Sequence, residues 1–217
     1  MRIVFPHIPK CCGSSIAAQL RSMTNVHLDY SLHPTWISAT DISSGILERA
    51  KMIEKLDRLE NWIVFGHFHS NAFDALAHDL KIILLRPPLE RAISHYHYLK
   101  QVLDDNIITR RRHGEVGAIK DGHMTFEQFA RLDHIRSFYG QFYLKNLEDN
   151  TKTLGLSTDN IDNAFTMIQE YAGIKLDKNV WINKSHHQEK FESCAPYFSD
   201  DDNLYQNIIT RRPALSS

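Results

Sequence analysis

An α/β fold, with a central and mostly parallel sheet covered by helices on both faces, is what this chain predicts, and three observations predict it. Short apolar runs alternate with stretches of helical periodicity, the order expected when parallel strands are joined by helical crossovers. One run, Lys81 to Leu85 (Lys-Ile-Ile-Leu-Leu), lacks polar alternation, as a strand buried on both faces should. The first twenty residues read strand, loop, helix. Arg2 to Phe5 is apolar and partly β-branched, and Pro6 and Pro9 end it because neither can donate to a ladder. Gly13 is expected to supply a tight turn, and Ser14 or Ser15 to cap a helix through Leu20.

The remaining elements follow in order. Val26 to Tyr30 is a second strand, and Ser43 or Ser44 caps a helix to about Leu59 whose stripe is Ile46, Leu47, Ala50, Ile53 and Leu56. Asn61 to Phe65 is a strand ending at Gly66-His67-Phe68-His69, with a short helix over Asn71 to His78. Leu89, Ala92, Ile93, Tyr96, Leu99 and Leu103 stripe the helix after the 81–85 strand. Asp104 to Met124 has no periodicity and reads as a mobile surface loop, its Arg110-Arg111-Arg112 run offering a second reading as a basic acceptor contact. Thr125 caps a helix, His134 to Leu144 continues helical, Thr158 to Tyr171 is amphipathic and stopped by Gly173, and Ser199 caps a final helix.

Bulk properties bound the function. The 217 residues suffice for one domain, 1–217, with its own core. A formal net charge of -1 excludes a general polyanion-binding surface, so no nucleic-acid partner is expected and any anion site is local. No apolar run reaches the ~20 residues of a membrane span. Arg2 to Phe5 reads as core strand rather than leader, and three cysteines, two adjacent, make no disulfide framework, so the expected location is cytoplasmic. Oligomeric state leaves no trace in the sequence.

The chemistry concentrates in His7-Ile8-Pro9-Lys10-Cys11-Cys12-Gly13-Ser14-Ser15. A helix N-terminus offers unpaired N–H groups and partial positive charge, Lys10 adds a full charge and the serines add donors, so the stretch suits a phosphate. It is not a Walker A loop, which sets Lys directly before the hydroxyl residue. A second basic segment, Arg86-Pro87-Pro88-Leu89-Glu90-Arg91-Ala92-Ile93-Ser94, follows the buried strand directly. Arg86 brings a planar, permanently charged fork, and Ser94 lies about two turns into a helix opened by proline.

Together these segments resemble the sulfotransferases that use 3′-phosphoadenosine 5′-phosphosulfate (PAPS), nearest the carbohydrate group that includes heparan-sulfate 2-O-sulfotransferase. That group's loop reads P-K-T-x-x-[ST]-[ST] and its second segment L-R-D-P-x-x-R-x-x-S; Cys11 stands here for Thr and Pro87 for Asp. The resemblance implies a P-loop-like three-layer fold, PAPS as donor without a metal, and a small-molecule or glycan acceptor. It assigns Lys10, Cys11, Cys12, Gly13, Ser14 and Ser15 to the 5′-phosphosulfate, and Arg86 and Ser94 to the 3′-phosphate. It also places Lys184, in Asn183-Lys184-Ser185, in a segment closing over the donor, sets Arg136, Ser137 or Tyr139 near the adenosine, and matches Asp201-Asp202-Asn203-Leu204-Tyr205 to a terminal D-x-x-L-Y phrase.

Lys10 is then the residue that stabilises the leaving phosphate oxygen, and His67, at a strand's C-terminal end, the general base. His69 is read as orienting His67 or meeting the acceptor, and His7 as packing within the loop. His67-Phe68-His69 with Cys11 and Cys12 begins a metal set, but no coherent further ligands follow, so none is expected. Two competing functions stay open: a P-loop small-molecule or nucleoside kinase, and a nucleotide-binding module without transfer activity.

Overall fold

β1 (Arg2–Pro6) is the middle strand of a five-stranded parallel sheet of order β2-β3-β1-β4-β5. In this computed structural model the described residues are 1–31, 39–101, 115–145, 147, 151–177, 179–180 and 191–213. β3 (Trp62–Gly66) pairs with β1 in the register Ile3 to Ile63, and β4 (Leu80–Leu85) on its other side in the register Ile3 to Leu80. β2 (Val26–Asp29) and β5 (Thr153–Ser157) form the edges. All five strands share one direction, so the segments leaving them gather at one edge, around the switch point beside β1 where the strand order reverses.

Alternating side chains build the two layers flanking the sheet. Ile3, Phe5, Phe65, Ile82, Leu84 and Leu156 pack against α1 (Gly13–Leu20) and α7 (Ile161–Ala172) through Ile16, Leu20, Phe165 and Ile168. On the opposite face Val4 and Val64 meet Leu56 of α2 (Ala39–Asp57), while Ile83 and Leu85 meet Tyr139, Tyr143 and, from α8 (Ser199–Ile209), Tyr205 and Ile208. A further apolar cluster joins α3 (Pro88–Gln101), α4 (Val116–Lys120) and α5 (Phe126–Ala130) through Tyr96, Leu99, Ile119 and Phe129.

Several local expectations change. α1 begins at Gly13, so Cys12 and not Ser14 or Ser15 holds the N-cap position, with no side-chain cap. No helix covers residues 71–78; turns run over 71–75, closed by bonds such as Asp74 N–H to the Asn71 carbonyl. The aperiodic 104–124 stretch contains α4, while 102–114 lie outside the described residues. The 134–144 helix divides into α6 (Asp133–Arg136) and a π-helical turn, Tyr139–Tyr143. Phe198, not Ser199, precedes the last helix, although three aspartates do occupy its first turn. Thr125 forms the expected capping box with Gln128, and Gly173 stops α7 at φ 67°.

Periodicity alone does not find β5, because Gly155 and two hydroxyl residues interrupt its apolar pattern. Gly155 is required there: a Cβ would lie 1.6 Å from the Ile208 carbonyl oxygen of α8. Gly155→Ala must push α8 off the sheet, and we expect a loss of about 1–3 kcal/mol, the usual cost of overpacking, measured by urea denaturation.

Candidate active site

The loop between β1 and α1 holds its shape with two non-glycine residues in the left-handed region, Lys10 at φ 71° and Cys12 at φ 61°. Such a conformation costs about 1–2 kcal/mol per residue and gathers where function requires it. Left-handed residues set into a right-handed chain turn successive N–H groups toward a common concavity, the backbone nest that receives anions. The Cys11 N–H donates to the Ile8 carbonyl and the Ser15 N–H to the Cys12 carbonyl, which leaves the N–H groups of Gly13 and Ser14, the first two of α1, for an anion.

Gly13 does not make the turn. Its role is space, since a Cβ there would fall 1.8 Å from Cδ2 of His7. The His7 ring therefore lies flat against the start of α1, stacked on Phe65 (5.2 Å) and on His67 (4.2 Å). Nδ1 of His67 lies 2.7 Å from the His7 carbonyl. A carbonyl only accepts, so Nδ1 carries the ring proton and Nε2 keeps its lone pair. Burial pushes the His67 pKa down to about 4, so the ring is neutral at physiological pH. Loop and histidine are thus one packed unit.

Beneath the loop, Tyr139 fixes both Cys11 and Arg86. Its hydroxyl accepts from the Arg86 N–H (3.3 Å), donates to the Arg86 carbonyl and lies 3.6 Å from Cys11 Sγ. Fully buried, Tyr139 acts on the site from below rather than at its surface. The Asp201 carboxylate accepts from the N–H groups of Tyr139 (2.8 Å) and Gly140 (3.1 Å), tying the π-helical turn to α8. Tyr205, four residues on, bonds Ser157 and Asp159 at the end of β5. Cys11 faces the core, where burial lifts its thiol to about 11, and Cys12 Sγ accepts from Arg86 Nη2 at 3.8 Å.

Three cations converge on the loop: Lys10, Arg86 and Arg91. Arg91 and Tyr98 are functional candidates that no role in the sequence reading covered. Arg91 is fully buried, its guanidinium 3.9 Å from the Phe138 ring centroid, with Nη2 donating to the Ile135 carbonyl. Its Nε and Nη1 are buried without a hydrogen-bond partner. Orphaned donors on a buried cation beside an anion nest fit a phosphate-bearing ligand. The signal for Arg91 was the basic residue three before Ser94; Tyr98, one turn after Ser94, had none. Lys10 Nζ stands 3.4 Å over the Tyr98 ring centroid, a cation–π contact. Ser94, buried, lies between Arg91 and Tyr98 on α3. Ser14 is exposed in the first turn of α1 and Ser15 is buried. Arg136 pairs with Asp133 at 2.6 Å, and Lys184 lies outside the described residues. Among the described residues no three His, Cys, Asp or Glu side chains converge as a metal set, and no helix is long and apolar enough to cross a membrane.

Burial, then the charges of Arg86 and Arg91, pull the Lys10 pKa down to about 7. A bound dianion favours the protonated amine, so binding near and above pH 7 should take up a proton. We expect calorimetry of adenosine 3′,5′-bisphosphate in buffers of different ionisation enthalpy to show proton uptake that vanishes below about pH 6. Arg91→Met removes one depressing charge and should move that midpoint upward.

The sulfotransferase family model, described as Sulfotransferase family, matches residues 1–196. Among solved structures, a sulfotransferase from Alicyclobacillus acidocaldarius superposes with a TM-score of 0.50 at 14% identity, covering 97% of this chain and 96% of that one. Mouse sulfotransferase SULT7A1 complexed with PAP gives a TM-score of 0.39 at 14% identity, covering 100% of this chain and 67% of that one. No curated protein matches. A family model spanning nine-tenths of the sequence, on a five-stranded parallel sheet, places this chain in the sulfotransferase family.

Proposed function

We propose that the protein transfers a sulfuryl group from PAPS to an acceptor hydroxyl, most plainly on a carbohydrate, with no metal. The observation that carries this is the convergence of Lys10, Arg86 and Arg91 on one anion nest, with the neutral His67 packed against the same loop through His7. PAPS supplies an activated sulfuryl group on a 5′-phosphate and a second phosphate at the 3′-position. Gly13, Ser14 and the left-handed Lys10 and Cys12 would hold the 5′ end; Arg86 and Ser94 would hold the 3′-phosphate.

His67 Nε2 takes the acceptor's proton as the acceptor oxygen bonds to sulfur and the sulfur–oxygen bond to the phosphate breaks. The electron pair of that bond stays on the phosphate oxygen, where Lys10 stabilises it. Nothing in this step requires covalent chemistry from the protein; positioning and electrostatics carry the rate. The order of Lys10 and the loop hydroxyls weighs against a kinase, which would place the amine beside them.

Calorimetric binding of adenosine 3′,5′-bisphosphate without metal should exceed that of 5′-AMP and ATP–Mg²⁺. Preference for ATP–Mg²⁺ would overturn the reading. Arg86→Ala should weaken bisphosphate binding by about 1.5–3 kcal/mol, as for a lost charged hydrogen bond, and leave 5′-AMP nearly unchanged. Lys10→Ala should lower turnover about 10²–10³-fold, the size of one lost oxyanion donor. With His67 titrating near 4 and Lys10 near 7, kcat/KM should lose its base below about pH 4 and its donor affinity above about pH 7.

A further inference from the structure

Strand order assigns a job to each strand end. β4 carries Arg86, β1 carries Lys10, β3 carries His67, and edge strand β2 ends at Asp29 with Tyr30 and Ser31 beyond it. The cations occupy the β1 and β4 side, and the base faces the β2 side. There the described residues line an open cavity of about 420 Å³, formed by Leu28, Asp29, Tyr30 and Ser31 from the β2 end and by Ser44, Glu48 and Met52 from α2. The three α2 residues recur at intervals of four, so they share one helix face. Tyr30 joins this cavity to the base, its ring 5.1 Å from that of His67 and 6.3 Å from that of His7.

We propose that this cavity is the acceptor subsite, and that it takes an uncharged or amine-bearing sugar rather than an anionic one. The proposal rests on the sulfotransferase reading and narrows it to a substrate class. A volume of this size lies within the range of small-molecule sites. Leu28, Met52 and the Tyr30 ring give an apolar wall for a sugar face, and the hydroxyls of Tyr30, Ser31 and Ser44 give polar contacts. Its charge is set by two carboxylates. Asp29 is fully buried, paired with Arg49 at 2.6 Å and accepting from the Ser31 N–H at 2.9 Å, so its charge is compensated. Glu48 is exposed and has no ion-pair partner among the described residues. Among the described residues no Lys or Arg lines the cavity. One uncompensated negative charge repels a carboxylated or sulfated sugar and attracts an ammonium group.

The test uses three probes that differ only in charge: p-nitrophenyl glucoside, glucosaminide and glucuronide, titrated into wild-type protein saturated with adenosine 3′,5′-bisphosphate. The glucoside and glucosaminide should bind and the glucuronide should bind more weakly. Glu48→Lys should change the glucosaminide-to-glucuronide preference by about tenfold toward the acid, as an exposed attraction becomes a repulsion. Ser44→Trp, on an exposed turn, should block all three glycosides. In both variants the bisphosphate affinity should equal that of the wild type. Wild-type preference for the glucuronide, an unmoved preference in Glu48→Lys, or binding of none of the three would overturn the subsite. Failure of the bisphosphate to bind wild type would instead strike the sulfotransferase reading, while glycoside binding lost in Ser44→Trp would still locate the sugar in this cavity.

Discussion

One close approach governs this molecule's chemistry: the His7 imidazole lies where any side chain on residue 13 would have to be. It lets the ring seal the turn into α1, stack on Phe65 in the sheet and stack on His67 beyond it. The His7 carbonyl then sets the tautomer of His67. The loop and His67 are consequently not two parts brought together by a cleft. They are two faces of one aromatic stack seated on the ends of β1 and β3, and displacing the ring disturbs both.

The electrostatic balance is unusual for a chain of net charge -1. Lys10, Arg86 and Arg91 crowd one spot; Asp201, the carboxylate that acts on Arg91, is occupied with two backbone N–H groups, and Glu90 faces Arg86. Arg91 keeps two donors unpaired in the interior. A buried, uncompensated cation is normally expensive, and the fold bears it through the Phe138 ring face and the Ile135 carbonyl. The depressed Lys10 pKa is the same crowding seen from another group. Local positive field, not overall charge, sets the electrostatics of this loop.

How much of this was legible beforehand depends on the length scale of the cause. The strands at 2–6, 26–29, 62–66 and 80–85 announce themselves by composition, and the parallel order follows from their alternation with helices. Lys10 and Arg86 stand out in the sequence by their positions after strands, and the structure brings their charges to bear on one another. The function of Gly13 was not legible, because the reason is an imidazole six residues earlier in sequence and pressed against it in space. Nor was β5, whose glycine answers to a carbonyl of α8. Tyr98 and the inward turn of Cys11 depend on side-chain directions that no spacing encodes. The cavity at the β2 edge is likewise made by two elements with no shared motif.

The central place of β1 has a consequence for biogenesis. The strand is made before both of its partners, which lie sixty and more residues downstream, Trp62–Gly66 on one side and Leu80–Leu85 on the other. Parallel pairing over such separations is slow, because loop closure precedes any gain from contacts. A nascent chain therefore carries an apolar, unpaired Ile-Val-Phe segment until Leu85 has left the ribosome, and the left-handed loop behind it has no sheet to hold its shape before then. The loop that carries Lys10 is made well before the sheet that holds its shape.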